Sequence, residues 1–316
     1  MDSKITKQRL VGMLSYDWLK IILFIVGACL IWSLAFTTTA TKLTNTQQFY
    51  VYNYSCNETV GDDLQTLLSD AKDNVFSYEV IETQITDLRV MGAENQSTVF
   101  EAYFGTGMGD LLFVPHIDNP EQTEESLNPY KKYSEMFFYS WCSRVQAVDE
   151  FLSDMRAYVQ QYYNESGELN KAKVEEDFKK HIKENNDKRF KREKAYQEGL
   201  QQEYERIEKY AVALTEFQGY LDQGLVEYVQ LDAVASDGTV YREKGNYALN
   251  LCPDVNTMGE LNDFFCYYLE ETSALTAKDM CVMFLDLPYT NQNYRYESLL
   301  FVNHLIQTAH TRTLEK

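Results

Sequence analysis

The sequence predicts an α/β protein carried behind an N-terminal membrane-spanning helix. Residues 21–36, IILFIVGACLIWSLAF, form a run of sixteen residues without a charge. Residues 48–115 alternate β-rich and helix-periodic stretches in the order β-α-β-α-β, which favours a parallel sheet with right-handed crossovers. Beyond them lie a charged helical middle, further β-rich runs and an amphipathic last helix.

The apolar run is extended by Trp18 and Leu19 on one side and by the uncharged Thr37 to Thr41 on the other. A helix over 18–40 would be about 34 Å long, against a hydrocarbon core of about 30 Å. Lys4, Lys7, Arg9 and Lys20 outnumber Asp2 and Asp17 in the first twenty residues. That bias predicts a cytoplasmic N-terminus and an extracytoplasmic C-terminal part. Two processing alternatives stay open: cleavage after Ala40, and lipidation of Cys29 in the lipobox-like Val26-Gly27-Ala28-Cys29. In each case residues 41–316 are expected outside the cytoplasm, with the bilayer as a partner.

Residues 48–55, QFYVYNYS, are β-rich and aromatic. Leu64, Leu67, Leu68 and Ala71 then recur at helical spacing across 61–74. Residues 77–86 read as a second strand, Ser97–Phe104 as a helix, and 111–115, LLFVP, as a buried strand closed by Pro115. A helical stretch follows over 133–163. Residues 168–223 are rich in charged helix formers, with a corner near Asn185 to Asp187. Their segment 171–194 contains the basic run KRFKREK (188–194). It reads as a solvated helical face, with docking to an acidic partner or anionic headgroups as the alternative. Residues 226–235 and Thr239–Arg242 flank Ser236-Asp237-Gly238, a hairpin signal. Residues 246–251 suit another strand, 259–271 a helix, 280–287 a buried strand, and Tyr296–Ala309 a final helix with Leu299, Leu300, Val302, Leu305 and Ile306 on its apolar face.

The chain has 316 residues, 48 acidic against 29 basic, for a net charge of −19. Such a polyanion is repelled by nucleic acid, so no nucleic-acid partner is expected. With 45% apolar residues the chain has enough to build a core. Cys56, Cys142, Cys252, Cys266 and Cys281 show no zinc spacing and no CxxC. One or two disulfides and buried thiols are both open. Asn53, Asn57, Asn95 and Asn164 open N-x-[ST] sequons, which matter only in a glycosylating host.

The passage VFEAYFGTGMGDLLFVP (99–115) resembles the end of the first lobe of type 2 periplasmic (extracellular) solute-binding proteins. There a helix closes on a small-residue turn and an Asp before a short strand. Gly109 replaces the family's usual Pro before Asp110. DGTVYREKGNYALNL (237–251) is loosely similar to the family's Asp-Gly-Lys-x-Tyr-Gly hairpin, and YESLLFVNHLIQ (296–307) to a late helix on the sheet. The charged middle has no counterpart. The resemblance implies a bilobed scaffold with ligand capture in a cleft. The resulting organisation is a tail over 1–17, a transmembrane helix over 18–40, a first α/β lobe over 41–132, a helical segment over 133–224 and a second α/β portion over 225–316.

Gly105-Thr106-Gly107-Met108-Gly109 closes a helix and opens a strand, the reverse of a dinucleotide fingerprint, so it reads as a C-cap and turn. His304 and His310 are six apart on one helix, wrong for a shared metal face, and there is no HExxH; no metal and no cofactor are expected. No GxSxG elbow is present. Glu79, Glu82, Asp87 and Glu101 are available carboxylates, but among 48 acids they single out no glycosidase pair. Tyr50, Tyr52 and Tyr54 alternate on one strand face, as a packed face or as a stacking platform.

These readings assemble into a non-enzymatic protein that captures a small ligand or serves a membrane transport assembly, with transporter subunits as partners. Its candidate ligand residues are Tyr52, Asn53, Gly107, Asp110 and Trp141. A structural or interaction module that keeps the fold without the ligand is the alternative, and a surface glycoside hydrolase ranks last.

Overall fold

A computed structural model describes residues 7–39, 47–54, 61–88, 98, 101–102, 108–120, 128–185, 187–269, 274–286 and 296–316. Gly107, Cys56 and most of the helix expected over 97–104 lie outside these residues. The chain divides into two units, Met1–Leu43 and Thr44–Lys316.

The first unit contains α1 (Lys7–Thr39). Among the described residues no helix is long and apolar enough to cross a membrane. The transmembrane helix expected over 18–40 is therefore withdrawn. Its charge-free run, residues 21–36, covers only about 24 Å at about 1.5 Å per residue, short of a core of about 30 Å. Span length was reached only by counting Lys20 and the threonines at the far end. The helix nonetheless exposes Leu23, Phe24, Ile31 and Trp32.

The second unit is built on one sheet, ordered β2-β1-β3-β8-β5-β4. Its strands are β1 (Gln48–Asn53), β2 (Glu82–Asp87), β3 (Leu111–Pro115), β4 (Glu227–Val234), β5 (Val240–Asn250) and β8 (Met280–Phe284). β1 pairs in parallel with both β2 and β3, which is the arrangement the β-α-β-α-β order calls for. β3 then pairs antiparallel with β8, so early and late segments share one sheet. The bilobed expectation is corrected on this point: residues 44–316 form one compact unit.

The pleat sorts side chains onto two buried faces. Phe49, Val51, Leu111, Phe113, Val282 and Phe284 enter one cluster. Tyr52, Leu112, Val114, Cys281 and Met283 enter the other. The first face is covered by α2 (Gly61–Asp70), α4 (Val148–Gln160), α6 (Glu193–Asp222) and α8 (Glu297–Glu315), whose apolar residues belong to that cluster. α3 (Tyr133–Trp141) covers the second, inserting Tyr133 and Phe138. α5 (Lys171–Glu184) packs Val174 and Phe178 inward and leaves its lysines largely in solvent. The α5–α6 break at 185–192 is the corner expected near Asn185.

Three local outcomes have clear causes. α2 runs into a π-helical turn, Ala71–Val75, closed by Phe76 N–H on the Ala71 carbonyl at 2.8 Å. The stretches 239–242 and 246–251 join into the single strand β5, with the turn held by Gly238 at φ +86 and by Asp237 Oδ1 accepting from Thr239 N–H. The described part of the helix expected over 259–271 is instead a tight turn, Gly259–Asp263, following the short helix α7 (Val255–Met258), and then strand β6 (Tyr267–Leu269), paired with β7 (Ala274–Thr276); residues 270–271 lie outside the described residues. Phe264, Phe265, Cys266 and Tyr267 are buried in succession, which an amphipathic surface helix does not permit.

Candidate functional site

The residues singled out in the sequence turn inward. The Tyr52 hydroxyl donates to the Met108 carbonyl at 3.0 Å, and its ring is fully buried. Gly109 sits against that ring at φ +124, where an added Cβ would lie 2.3 Å from Tyr52 Cε2. Asp110 Oδ2 accepts from Tyr50 N–H at 2.8 Å, while its backbone bonds Tyr50 and Leu285. Its carboxylate thus holds the turn into β3. Asn53 is buried at the end of β1, and its Oδ1 has no partner among the described residues. Trp141 ends α3, half-buried against the second cluster. Tyr52 and Tyr54 belong to that packed face, Tyr54 meeting Phe137 edge-on at 4.6 Å.

Beside them His116 joins Ser134 and Lys132. Nδ1 is 2.6 Å from Ser134 Oγ and Nε2 is 2.9 Å from Lys132 Nζ. An ammonium can only donate, so Nε2 accepts and Nδ1 carries the proton toward Ser134. That tautomer does not deprotonate a serine, and Ser134 is fully buried. Burial, then Lys132, lowers the His116 pKa and keeps the ring neutral. The trio works as a brace between β3 and α3. Glu79 is engaged by Arg189, and Glu82 accepts from Gln48. Burial pushes the Cys252 thiol up to about 12, and Cys29, Cys142, Cys252 and Cys281 are free thiols. Among the described residues no group of three or more His, Cys, Asp and Glu is placed to hold a metal ion.

The opposite side is organised differently. α6 buries charge as well as hydrocarbon. Arg206 donates to Glu203 and, at 2.8 Å, to the Tyr158 hydroxyl. Tyr78 donates to Glu203 at 2.9 Å. Burial alone would raise the Glu203 carboxyl; the Arg206 guanidinium and the hydrogen bonds bring it below its ordinary value. One turn on, Tyr210 donates to Glu297 at 2.7 Å, and Ser77 N–H reaches the other Glu297 oxygen at 3.1 Å. Glu297 stays raised by its complete burial, with those bonds only partly offsetting it. Lys209 donates to the Val75 and Phe76 carbonyls at 3.0 and 3.2 Å. Together these bonds pin α6 to α4, α8 and the segment following α2.

Between those pinned elements lies a cleft of about 410 Å³. α6 lines it with Glu205, Glu208, Lys209, Val212 and Glu216, a helical stripe; α8 contributes Leu300, Asn303, His304 and Gln307, and the π-helical turn adds Asn74 and Val75. A second recess of about 240 Å³ shares Glu205 and Lys209 and reaches Tyr78 and Arg206. The cleft is acidic, with three glutamates against Lys209. His304 Nε2 lies 3.0 Å from Asp70 Oδ2, off hydrogen-bond alignment. Burial lowers the His304 pKa, and Asp70 opposes that only in part. Asn303 donates through Nδ2 to the Ala213 carbonyl at 2.8 Å, and its Oδ1, buried from solvent, has no partner among the described residues.

The basic run separates by role. Arg189 bonds Asp187 and Glu79, and Phe190 packs on Phe178, so both anchor the corner. Lys188, Lys191 and Arg192 are exposed.

Of the sequence candidates, Tyr52, Asn53, Asp110 and Trp141 line neither cleft, and Gly107 lies outside the described residues. The cleft residues were missed in the sequence. Their one visible signal is polar side chains inside an apolar helix: Asn303 and His304 interrupt YESLLFVNHLIQ. On α6 the stripe is masked by charge all around the helix. Comparisons with protein-family models, curated proteins and solved structures find no match, so the likeness to solute-binding proteins rests on the quoted segments alone.

Proposed function

We propose that residues 44–316 are a binding unit for a small molecule, seated in the cleft between α6 and α8. The observation that carries this reading is a cleft of about 410 Å³ with mixed walls, Val75, Val212 and Leu300 beside amides and carboxylates. Small-molecule sites occupy about 300–1,000 Å³ and combine apolar walls with a few directed polar groups. The buried Arg206, Glu203, Tyr210 and Glu297 bonds support it further, because walls held before binding lose little entropy on binding.

Val212 is 54% exposed and lines the cleft, so Val212→Trp fills the space without entering the core. Thermal shift against a panel of cationic, anionic and neutral metabolites tests the reading. Some panel class is expected to raise the melting temperature of the wild type and not of Val212→Trp. Equal responses, or none in either protein, would reject it.

A second reading, an interaction module, is favoured by the exposed Lys188, Lys191 and Arg192 at the α5–α6 corner of an otherwise acidic chain. It takes an acidic partner. Reversing these three charges is expected to lower retention on a heparin column without altering the fold; unchanged retention would remove it.

A further inference from the structure

We infer that the basic corner between α5 and α6 docks on the acidic stretch of α6 in a second copy of the chain, the two α6 helices running antiparallel about a two-fold axis. The inference rests on the interaction reading above and names its acidic partner. Charge on the solvent side of α6 is sorted by position. Lys188, Lys191, Arg192 and Lys194 are exposed at its N-terminal end. Gln197, Gln201 and Gln202 follow, exposed and uncharged. Beyond them Glu205, Glu208, Glu216 and Asp222 are exposed. The two cations within that acidic stretch are already engaged: Arg206 is buried against Glu203, and Lys209 directs its ammonium at the Val75 and Phe76 carbonyls. At the basic end Glu193 accepts from Gln197, and Glu198 pairs with Lys194 at 3.7 Å. Among the described residues Lys188, Lys191 and Arg192 form no ion pair.

This order runs against the helix's own dipole. A helix favours acids at its N-terminus and bases at its C-terminus. Here Arg192 takes the N-cap position and Lys194 the first turn, where Glu193 is the acid, while Asp222 closes the last turn and no base lies there. The helix alone does not account for the arrangement; a second α6 running the other way does. With Gln201 on the axis, residues 188–194 of one copy lie alongside 208–214 of the other, a stretch that begins at Glu208 and ends just short of Glu216. The two-fold makes the same contact twice and closes the assembly as a dimer. The corner is presented on a fixed base, because Arg189 bonds Asp187 and Glu79 and Phe190 packs on Phe178. At about 0.1 M salt, screening over about 10 Å lets facing patches attract while most of the −19 net charge is damped.

Sedimentation equilibrium of the full chain tests this. A reversible dimer is expected at about 0.1 M salt, weakened about tenfold or more at about 1 M. Lys188→Glu/Lys191→Glu/Arg192→Glu and Glu205→Lys/Glu208→Lys/Glu216→Lys should each be monomeric, because both patches then carry one sign. Mixed together they should dimerise again, since each reversed patch meets its opposite on the other chain. A monomeric wild type at about 0.1 M salt would overturn the inference. So would folded variants that stay apart on mixing, or a dimer that neither salt nor the reversals weaken, which is what association through the exposed apolar side chains of α1 would give. The salt dependence of the wild type decides the matter even where a variant fails to fold. Heparin retention separates the two levels. A monomeric wild type whose corner reversal still lowers retention leaves the interaction reading with another acidic partner; unchanged retention removes that reading as well.

Discussion

On the α3 side of the sheet, polar side chains close on the backbone or on each other. Asp110 takes the Tyr50 amide, Tyr52 the Met108 carbonyl, and His116 joins Ser134 and Lys132. On the α6–α8 side, buried charges are paired just as completely around Arg206 and Tyr210, yet the layer above them lines a cleft with the exposed carboxylates Glu205, Glu208 and Glu216. The difference separates two meanings of a polar residue. A matched, buried group holds the fold, and an exposed carboxylate beside a cavity is available to something else. By that criterion the aromatic and acidic residues that draw attention in the sequence are scaffold.

The contrast is sharpest in stability. Arg206→Met removes one member of a buried ion pair and leaves Glu203 uncompensated; urea denaturation is expected to show a loss of about 3–5 kcal/mol. Asp110→Ala, which frees the Tyr50 amide, should cost less, about 1.5–3 kcal/mol in the same assay. If Asp110→Ala proved nearly harmless while abolishing ligand binding, the scaffold reading of the α3 side would be wrong. Gly109→Ala is expected to cost about 1 kcal/mol or more, since alanine meets both a positive φ and the Tyr52 ring.

A smaller effect comes from pH. His116 and His304 both lie below their ordinary value of 6.5, burial being the larger cause in each. The unfolded chain then binds more protons than the folded one between the two values. Their contribution to stability is full above about pH 6.5 and is lost as pH falls through the folded values. Glu297, raised by burial, has the opposite sign: its contribution is present below 4.5 and is lost as pH rises through its folded value. Denaturation midpoints between pH 8 and 5 should decline on the acid side, and His116→Gln/His304→Gln should flatten that decline. An unchanged slope in the double variant would remove the histidines from the account.

Much of the fold could be read from the sequence because it depends on local pattern. The β-α-β-α-β order gave the parallel β2-β1-β3 block, Asp-Gly marked the β4–β5 turn, and the α5–α6 corner fell where helix formers lapse. What escaped depends on contacts across long separations. β3 pairs with β8, residues 111 and 284 apart in sequence, and nothing local announces that one sheet will unite the two ends. Residues 264–267 look helix-compatible until all four are buried. The apolar run of α1 fell short because span length was measured across a lysine. The candidate site was the least legible part. Helical spacing can place Glu205, Val212 and Glu216 on one face of α6, but only the packing of α8 turns that face into a cleft.

Hydrogen–deuterium exchange of the full chain, with and without a saturating amount of whichever panel metabolite stabilises the wild type and not Val212→Trp, sets the two sides of the sheet against each other directly. The account predicts that protection rises in the peptides covering 71–78, 202–216 and 300–307 and stays unchanged over 48–54 and 108–141. Protection centred on 48–54 and 108–141, with the α6 and α8 peptides unaffected, would contradict it.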